Sequence, residues 1–404
     1  MRLLILTAQV SPYHNARYVG ATRYFDEVNV LSTINAGDFT EFLAKSLGHY
    51  SLHPLFKGRE AYQNAIVSGE LVRKVRDTML QVMPDAIAAA GWTAPESLAA
   101  LEFGREYGIP VVVMSESQVD DGKRTYLREL AKRRIVSLFD AALVGGPSHA
   151  EYVETLGISR GLIHLGYNAV DNGFFTKGAE IARREEPATR QKLNLPGRYI
   201  LASARFIEKK NLVELVRGYA RAREGMVNAP DLLILGDGPE RNRINATIGA
   251  EGLHKCVHMP GFRGYDELPA LYALSEGFVH VSTSEQWGLV INEAMAAGVA
   301  VVASSRCGAT RTVIENGVNG FVTEADTGSI AKSLRSLFEL SAEQRRAIGE
   351  AAANAIASWG PDRFGTGLSA AVASALTAPS RDKIALWDRA ILRRLQSRFI
   401  ETVA

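Results

Sequence analysis

The sequence predicts an α/β chain of two doubly wound domains, each a parallel sheet covered on both faces. Three observations carry this. Its 404 residues exceed one ordinary core and suit two domains of about 150–200 residues each. Short continuous apolar runs alternate with helical stretches, the pattern of parallel strands buried on both sides. Such a run opens each half, at 3–7 and again at 199–203, just after Pro196-Gly197.

The remaining elements follow in order. In the first half, 111–114 and 141–144 read as further buried strands; in the second, 232–235, 277–281 and 299–303 do. Helices are expected over 124–139, 211–224, 265–275 and 289–297, and the alternation gives two parallel sheets. Segment 176–195 is charged, contains Arg183-Arg184-Glu185-Glu186-Pro187 and has no evident apolar period, so it is expected to be a linker. The expected domains are therefore 1–178 and 195–358, with helices of 359–404 packing back on the first. Ligands of open α/β sheets bind beyond the carboxyl ends of the strands, so the chemistry is expected in the loops after Ser203, Leu235, Val281 and Ala303, in a cleft between facing domains.

Composition narrows the function. A hydrophobic share of 47% and a charged share of 22% are those of a soluble globular protein, and a net charge of +2 argues against a nucleic-acid partner. The two cysteines, Cys256 and Cys307, make neither a disulfide framework nor a zinc spacing and are expected to be buried small hydrophobes. The opening apolar run is too short for a secretory signal, and no stretch of about 20 apolar residues occurs. The expected location is the cytosol, with peripheral contact at the inner face of the membrane as an addition.

Neither usual phosphate loop is present: there is no G-x-x-x-x-G-K-[ST], and no G-x-G-x-x-G follows a first strand. No acidic pair is placed as a metal anchor; Asp120-Asp121 precedes a basic helix, where capping is expected. A bound diphosphate would then rely on protein cations and helix ends. Arg205 and Lys210 stand five residues apart after the strand 199–203, where a guanidinium and an ammonium can share phosphate oxygens; a solvated basic loop is the alternative. In 284–298, Gly288 opens a helix and Gly298 closes it, so the backbone of Gly288 and Leu289 offers free N–H groups to an anion. Glu285 stands ahead of that helix and Glu293 inside it, on the order of 10 Å apart if the stretch is helical. That spacing suits hydrogen bonds to two groups flanking a diphosphate and is too wide for a retaining glycosidase pair. The alternative is that Glu285 complements the helix dipole and Glu293 is solvated.

This segment resembles the E-x7-E motif of the retaining GT-B glycosyltransferases of family GT4. Further pieces of that pattern recur in order between about 198 and 330: Arg205 and Lys210 as its cationic pair, Gly236-Asp237-Gly238-Pro239-Glu240 as its G-x-G-P-x turn, Met259-Pro260-Gly261-Phe262 as the loop edging the nucleobase, and Gly317-Val318-Asn319-Gly320-Phe321-Val322 near the domain's end. The resemblance implies two Rossmann-like domains and a UDP- or GDP-type nucleotide-sugar donor. It also implies a retained anomeric configuration and no metal or other cofactor. Arg205, Lys210 and Glu285 would be catalytic. Glu293, Gly288, Leu289, Gly236, Phe262 and Arg263 would bind the donor, Glu285 its sugar and Glu293 its ribose.

The first domain departs from the family. Ser11-Pro12-Tyr13-His14-Asn15-Ala16-Arg17-Tyr18 replaces a paired-glycine loop, and Glu116 stands nearest to where many members carry a histidine; His14 and Glu116 are the acceptor-side candidates. The alternative for Glu116 is a hydrogen-bonded strand-end acid. In the second domain, Cys307-Gly308-Ala309-Thr310-Arg311-Thr312 replaces another glycine pair, with Thr312 in place of the usual acid. His254, His258 and His280 read as structural.

Two basic stretches suit an anionic bilayer: Lys123, Arg124, Arg128, Lys132, Arg133 and Arg134, and a tail with Arg381, Lys383, Arg389, Arg393, Arg394 and Arg398 opposite an apolar stripe of Ile384, Trp387, Ile391, Leu395 and Phe399. A terminal helix packed on the first domain is the other reading of the tail. The expected acceptor is a glycan or lipid-linked glycan of cell-surface or exopolysaccharide assembly. A phosphorylase or epimerase of the same fold, or a non-catalytic nucleotide-sugar-binding scaffold, remains as the alternative.

Overall fold

The computed structural model describes residues 1–35, 49–122, 124–378 and 385–396, with Leu386 and Trp387 described by their backbone alone. In chain order the strands are β1 (Arg2–Gln9), β2 (Glu27–Ile34), β3 (Ser51–Phe56), β4 (Ala86–Ala90), β5 (Val111–Ser115), β6 (Ala141–Val144), β7 (Ile163–Leu165), β8 (Tyr199–Ser203), β9 (Asp231–Leu235), β10 (Val257–Gly261), β11 (Phe278–His280), β12 (Val301–Ser304) and β13 (Phe321–Thr323). The helices are α1 (Pro12–Ala21), α2 (Arg59–Ser68), α3 (Glu70–Val82), α4 (Pro95–Tyr107), α5 (Tyr126–Val136), α6 (Pro147–Thr155), α7 (Asn172–Arg184), α8 (Glu186–Leu193), α9 (Leu212–Ala222), α10 (Arg241–Ala250), α11 (Leu268–Ala273), α12 (Leu289–Ala296), α13 (Gly308–Val313), α14 (Thr327–Glu339), α15 (Ala342–Ile356), α16 (Pro361–Thr377) and α17 (Leu386–Gln396).

The chain forms two compact units, 1–169 with 361–404, and 170–360. The first is a parallel sheet in the order β3-β2-β1-β4-β5-β6-β7. Leu4 and Leu6 enter one core and Leu3 and Ile5 another, so the continuous apolar run of β1 is explained by helices on both faces. Helix α16 packs on α1 through glycines: a Cβ on Gly365 would stand 2.8 Å from the Gly20 carbonyl oxygen. The second unit is a parallel sheet in the order β10-β9-β8-β11-β12-β13. Its strand order reverses at β8, which has β9 on one side and β11 on the other. The loops leaving β8 and β11 therefore flank the topological switch point, where such sheets bind ligands.

Several expectations are corrected. Segment 176–195 is helical: α7 buries Phe175, Ala179 and Ala182, a period of small residues masked by the charges around it, and lies against α11 and α12. The helix expected over 265–275 opens as a tight turn at Tyr265–Glu267 and becomes α11 at Leu268, with Pro269 in its first turn. Asp121 does not cap α5; it accepts the Gln118 N–H (3.1 Å) and the Arg124 guanidinium (2.6 Å). The tail's buried face is not the expected stripe: α17 packs on α4 and α5 through Asp388, Leu392 and Gln396, Leu395 is partly buried, and Ile391 stays exposed. Lys123, Arg381, Lys383, Ile384, Arg398, Phe399 and the Trp387 side chain lie outside the described residues. Among those residues no helix is long and apolar enough to cross a membrane.

Candidate functional site

The loop after β8 is clamped to the loop after β9 by the backbone. Ala204 N–H donates to Leu235 (3.1 Å), Phe206 N–H to Asp237 (2.8 Å) and Glu240 N–H to Phe206 (2.9 Å). The approach is closest at Gly236, whose φ is +116° and where a Cβ would stand 2.0 Å from the Ala204 carbonyl oxygen; only glycine fits. Gly236 also donates to Gly261 at the end of β10 (2.9 Å), so Phe262 and Arg263 leave from the same rim. Phe262 is 71% exposed, and the Arg263 guanidinium lies 3.8 Å from Glu267. Arg205 projects from the clamped loop, exposed, with no side-chain hydrogen bond or ion pair among the described residues.

Lys210 ends a single 3-10 turn, Glu208–Lys210. Asn211 follows at φ +61°, and its amide donates to the Val281 (3.1 Å) and Ala325 (2.7 Å) carbonyls. Thr283 N–H donates to the Lys209 carbonyl (2.9 Å). These ties hold the turn beneath the end of β11 and bring the Lys210 ammonium onto the Glu285 carboxylate, with both side chains about seven-eighths buried. Glu285 is fixed through its own backbone, donating to Arg306 (3.3 Å) and accepting from Gly308 (3.2 Å). His280 Nε2 lies 3.4 Å from the Glu285 oxygen that Lys210 reaches, and the Ser282 hydroxyl lies 3.4 Å from it.

The charges follow from these contacts. Burial pushes the Glu285 carboxyl up, but the His280 hydrogen bond and the Lys210 charge outweigh it, and the group stays below its ordinary value and ionised. Burial holds His280 down, and Lys210 adds to this against the pull of Glu285, so the imidazole is neutral at pH 7. Cys307 is buried beside them; burial and the Glu285 charge push its thiol up to about 12 and keep it protonated.

Helix α12 begins after Gly288, whose φ of +96° turns the chain into the helix. Trp287 anchors the turn, its indole N–H donating to Asn292 (2.9 Å) and its ring 5.3 Å from that of Trp359. Gly288 and Leu289 are half-buried at the helix start. Glu293 is not solvated: it is 1% exposed and accepts the Tyr272 hydroxyl (2.6 Å). Burial and then the Glu293 charge push the Tyr265 hydroxyl up. Beside the 3-10 turn, Glu208, Lys209, Asn211, Arg243 and Thr283 line a pocket of about 370 Å³ that neither Lys210 nor Glu285 enters.

In the first unit, His14 caps α1: its Nδ1 accepts the Ser11 N–H (3.3 Å) and lies 2.8 Å from the Ser11 hydroxyl. Burial and then Arg17 lower its pKa to about 3. Glu116 is a strand-end acid accepting the amide of buried Asn168 (2.9 Å). Thr312 donates to the Gly308 carbonyl of its own helix (2.8 Å). The structure thus gathers Lys210 and Glu285, leaves Arg205 exposed on the neighbouring loop, and gives His14 a capping partner. Sequence reading missed His280, Ser282 and Asn211. The signals available were a histidine at a buried strand end and an asparagine, a residue tolerant of the left-handed region, closing a basic turn.

Comparison with known proteins bears on family and fold. Residues 184–355 match the model for glycosyl transferases group 1. The alpha-D-kanosaminyltransferase of Streptomyces kanamyceticus is 33% identical over 104 residues, 26% of this chain and 25% of the relative. An N-acetylgalactosaminyltransferase of Campylobacter jejuni, named for a diphospho-undecaprenol-linked acceptor, is 27% identical over 192 residues, 47% of this chain and 48% of the relative. The chain thus spans from a quarter to about half of the length of these curated relatives. The structure of Anabaena HepE in complex with UDP and glucose aligns over 91% of this chain and 98% of its own at 18% identity and a TM-score of 0.72, which is a likeness of fold. The chain has the GT-B fold, and residues 184–355, most of its second unit, are similar to the glycosyl transferases group 1 family.

Proposed function

We propose that the chain is a retaining glycosyltransferase that takes a sugar from a UDP- or GDP-type donor. The observation that supports this most is the meeting of Lys210 and Glu285 at the switch point of the second sheet, beside exposed Arg205 and the opening of α12. Arg205 and Lys210 neutralise the diphosphate as the bond between it and the anomeric carbon loosens, and the backbone at Gly288 and Leu289 adds N–H donors. Glu285, held ionised, accepts hydroxyls of the transferred sugar. An acceptor hydroxyl then bonds to the anomeric carbon on the face the diphosphate leaves, and its proton passes to a diphosphate oxygen. Glu293 takes the ribose hydroxyls, and Gly236, Phe262 and Arg263 border the base. No metal is required. His14, in the first turn of α1 after β1, and Glu116, in the loop after β5, are candidates on the acceptor side through their place beyond the strand ends.

For the acceptor we propose a lipid-linked or membrane-proximal glycan of cell-surface polysaccharide assembly, met by a chain in peripheral contact with the membrane; the named acceptor of the Campylobacter relative supports this class. A thermal-shift series with UDP, GDP, ATP and NAD in excess EDTA tests the donor. One nucleoside diphosphate at a hundred times its Kd is expected to stabilise the fold by about 2.7 kcal/mol. An equal response to all four, or a response that needs added metal, goes against this reading. Donor consumption without any acceptor would favour an epimerase, and donor binding without turnover on any acceptor a scaffold.

A further inference from the structure

The first turns of α5 are inside out. A surface helix normally turns its apolar residues to the core and its charges to water. Here the inward positions are charged. Glu129 accepts the Tyr152 hydroxyl (2.8 Å) and pairs with Lys132 (2.9 Å) and Arg124 (3.1 Å), while Arg124 also donates to the Tyr152 hydroxyl and covers its ring at 4.2 Å. Burial raises the Glu129 carboxyl, but Lys132, Tyr152 and Arg124 together hold it at about 2. Only Ile135 and Val136, in the last turn, reach the core. The outward positions are apolar: Tyr126 is 81% exposed, Leu127 75% and Leu130 53%, and Val119 just upstream is 64% exposed.

The exposed charge of the helix itself has one sign; the nearest exposed acid is Asp120, beside Val119 and upstream of the helix. Glu129 is the only acid of the helix and is committed inward. Arg128 and Arg133 are exposed, while Lys132 and Arg134 of the same basic run hold Glu129 and Asp388 and are not free for a partner. An apolar strip edged by a tyrosine and by arginines without a counter-acid is complementary to the boundary of an anionic lipid layer. A protein partner of ordinary mixed charge would not select such a set.

We infer that the outward face of α5 is a docking surface for anionic lipid, with Leu127, Leu130 and Tyr126 entering the headgroup boundary and Arg128 and Arg133 on the lipid charges. This deepens the membrane-proximal reading of the acceptor and names the contact element, yet docking itself requires neither donor nor transfer. The test is flotation of the full chain with vesicles of phosphatidylcholine alone or mixed with phosphatidylglycerol, at low and high salt. Binding is expected on the mixed vesicles at low salt and is lost in high salt. Arg128→Glu with Arg133→Glu should weaken it by about thirtyfold or more. Leu127→Glu with Leu130→Glu should weaken it by at least about tenfold. Both variants should keep the wild-type nucleotide response and a melting temperature close to wild type, since none of the four side chains makes a hydrogen bond or ion pair among the described residues. Three results would overturn the inference: wild type absent from mixed vesicles at low salt, binding that survives both variants, or a wild-type dimer in light scattering that the leucine variant dissolves, which would make the face a contact between copies. The nucleotide response stands or falls separately, so loss of docking leaves the donor reading intact.

Discussion

Glu129 and Glu285 are two carboxylates in nearly the same electrostatic position. Each is pushed up by burial and pulled further down by a lysine and a second nitrogen-bearing side chain. They differ in placement. The Glu129 partners are Lys132 on the same helix, Arg124 just ahead of it and Tyr152 on the neighbouring one, and they form a closed set that ties α5 to α6. Glu285 draws its partners from the ends of two parallel strands: Lys210 after β8, and His280 and Ser282 at the end of β11. Beside it lie exposed Arg205 and a helix start. The same chemistry is structural where the cations are used up locally, and is a candidate site where strand ends leave donors over for an anion. A paired charge is therefore poor evidence of function until its surroundings are known.

The largest effect expected from this contrast is on turnover. Lys210→Ala should lower kcat by about a hundredfold to a thousandfold through loss of a cation at the leaving diphosphate. The protein should remain folded, because His280 and Ser282 still face Glu285. Near-normal turnover in a folded variant would place the Lys210–Glu285 pair with the structural kind.

Exchanging the two carboxylates for amides should separate the roles. Glu285→Gln is expected to lower kcat most, while Glu129→Gln leaves kcat alone and costs about 1–2 kcal/mol of stability after solvent screening. The sign with pH follows from a folded value of about 2 against an ordinary 4.5. The Glu129 contribution is fully present above the ordinary value and is lost as pH falls through the folded one. Urea melts at descending pH should thus converge for wild type and Glu129→Gln. A gap that persists unchanged down to the folded value would mean that packing, not charge, explains the loss.

A smaller effect is expected at Glu293, which is buried more deeply than Glu285 and accepts a tyrosine hydroxyl where Glu285 meets a lysine. Glu293→Gln should weaken binding of the free nucleoside diphosphate, raising KM more than it lowers kcat. Calorimetric titration giving a wild-type Kd would remove the ribose role and leave Glu293 as a core hydrogen-bonding group.

Much of this was readable from the residues. The apolar runs located β1, β5, β6, β8, β9 and β12, because strands buried on both faces need unbroken hydrophobicity. The glycines bounding 289–297 marked α12 to within a residue, since a helix entered at positive φ and left at positive φ asks for glycine at both ends. The E-x7-E spacing and the ordered motifs identified the second unit. Small-residue and charged periods were not legible: α7 buries two alanines and one phenylalanine among charges, and was read as a linker.

The sequence by itself determined the two parallel sheets, their burial on both faces and the strand ends where a ligand site belongs, because these depend on local hydrophobic period and on glycine's backbone freedom. Only the tertiary structure decided which charges meet. Lys210 reaches Glu285 across 75 residues because Asn211 and Thr283 tie two loops together, and α5 faces outward with its leucines because Tyr152 receives its charged side. Pairings of that kind depend on distances set by strand order and loop closure, and a chain read in one dimension carries no such distances.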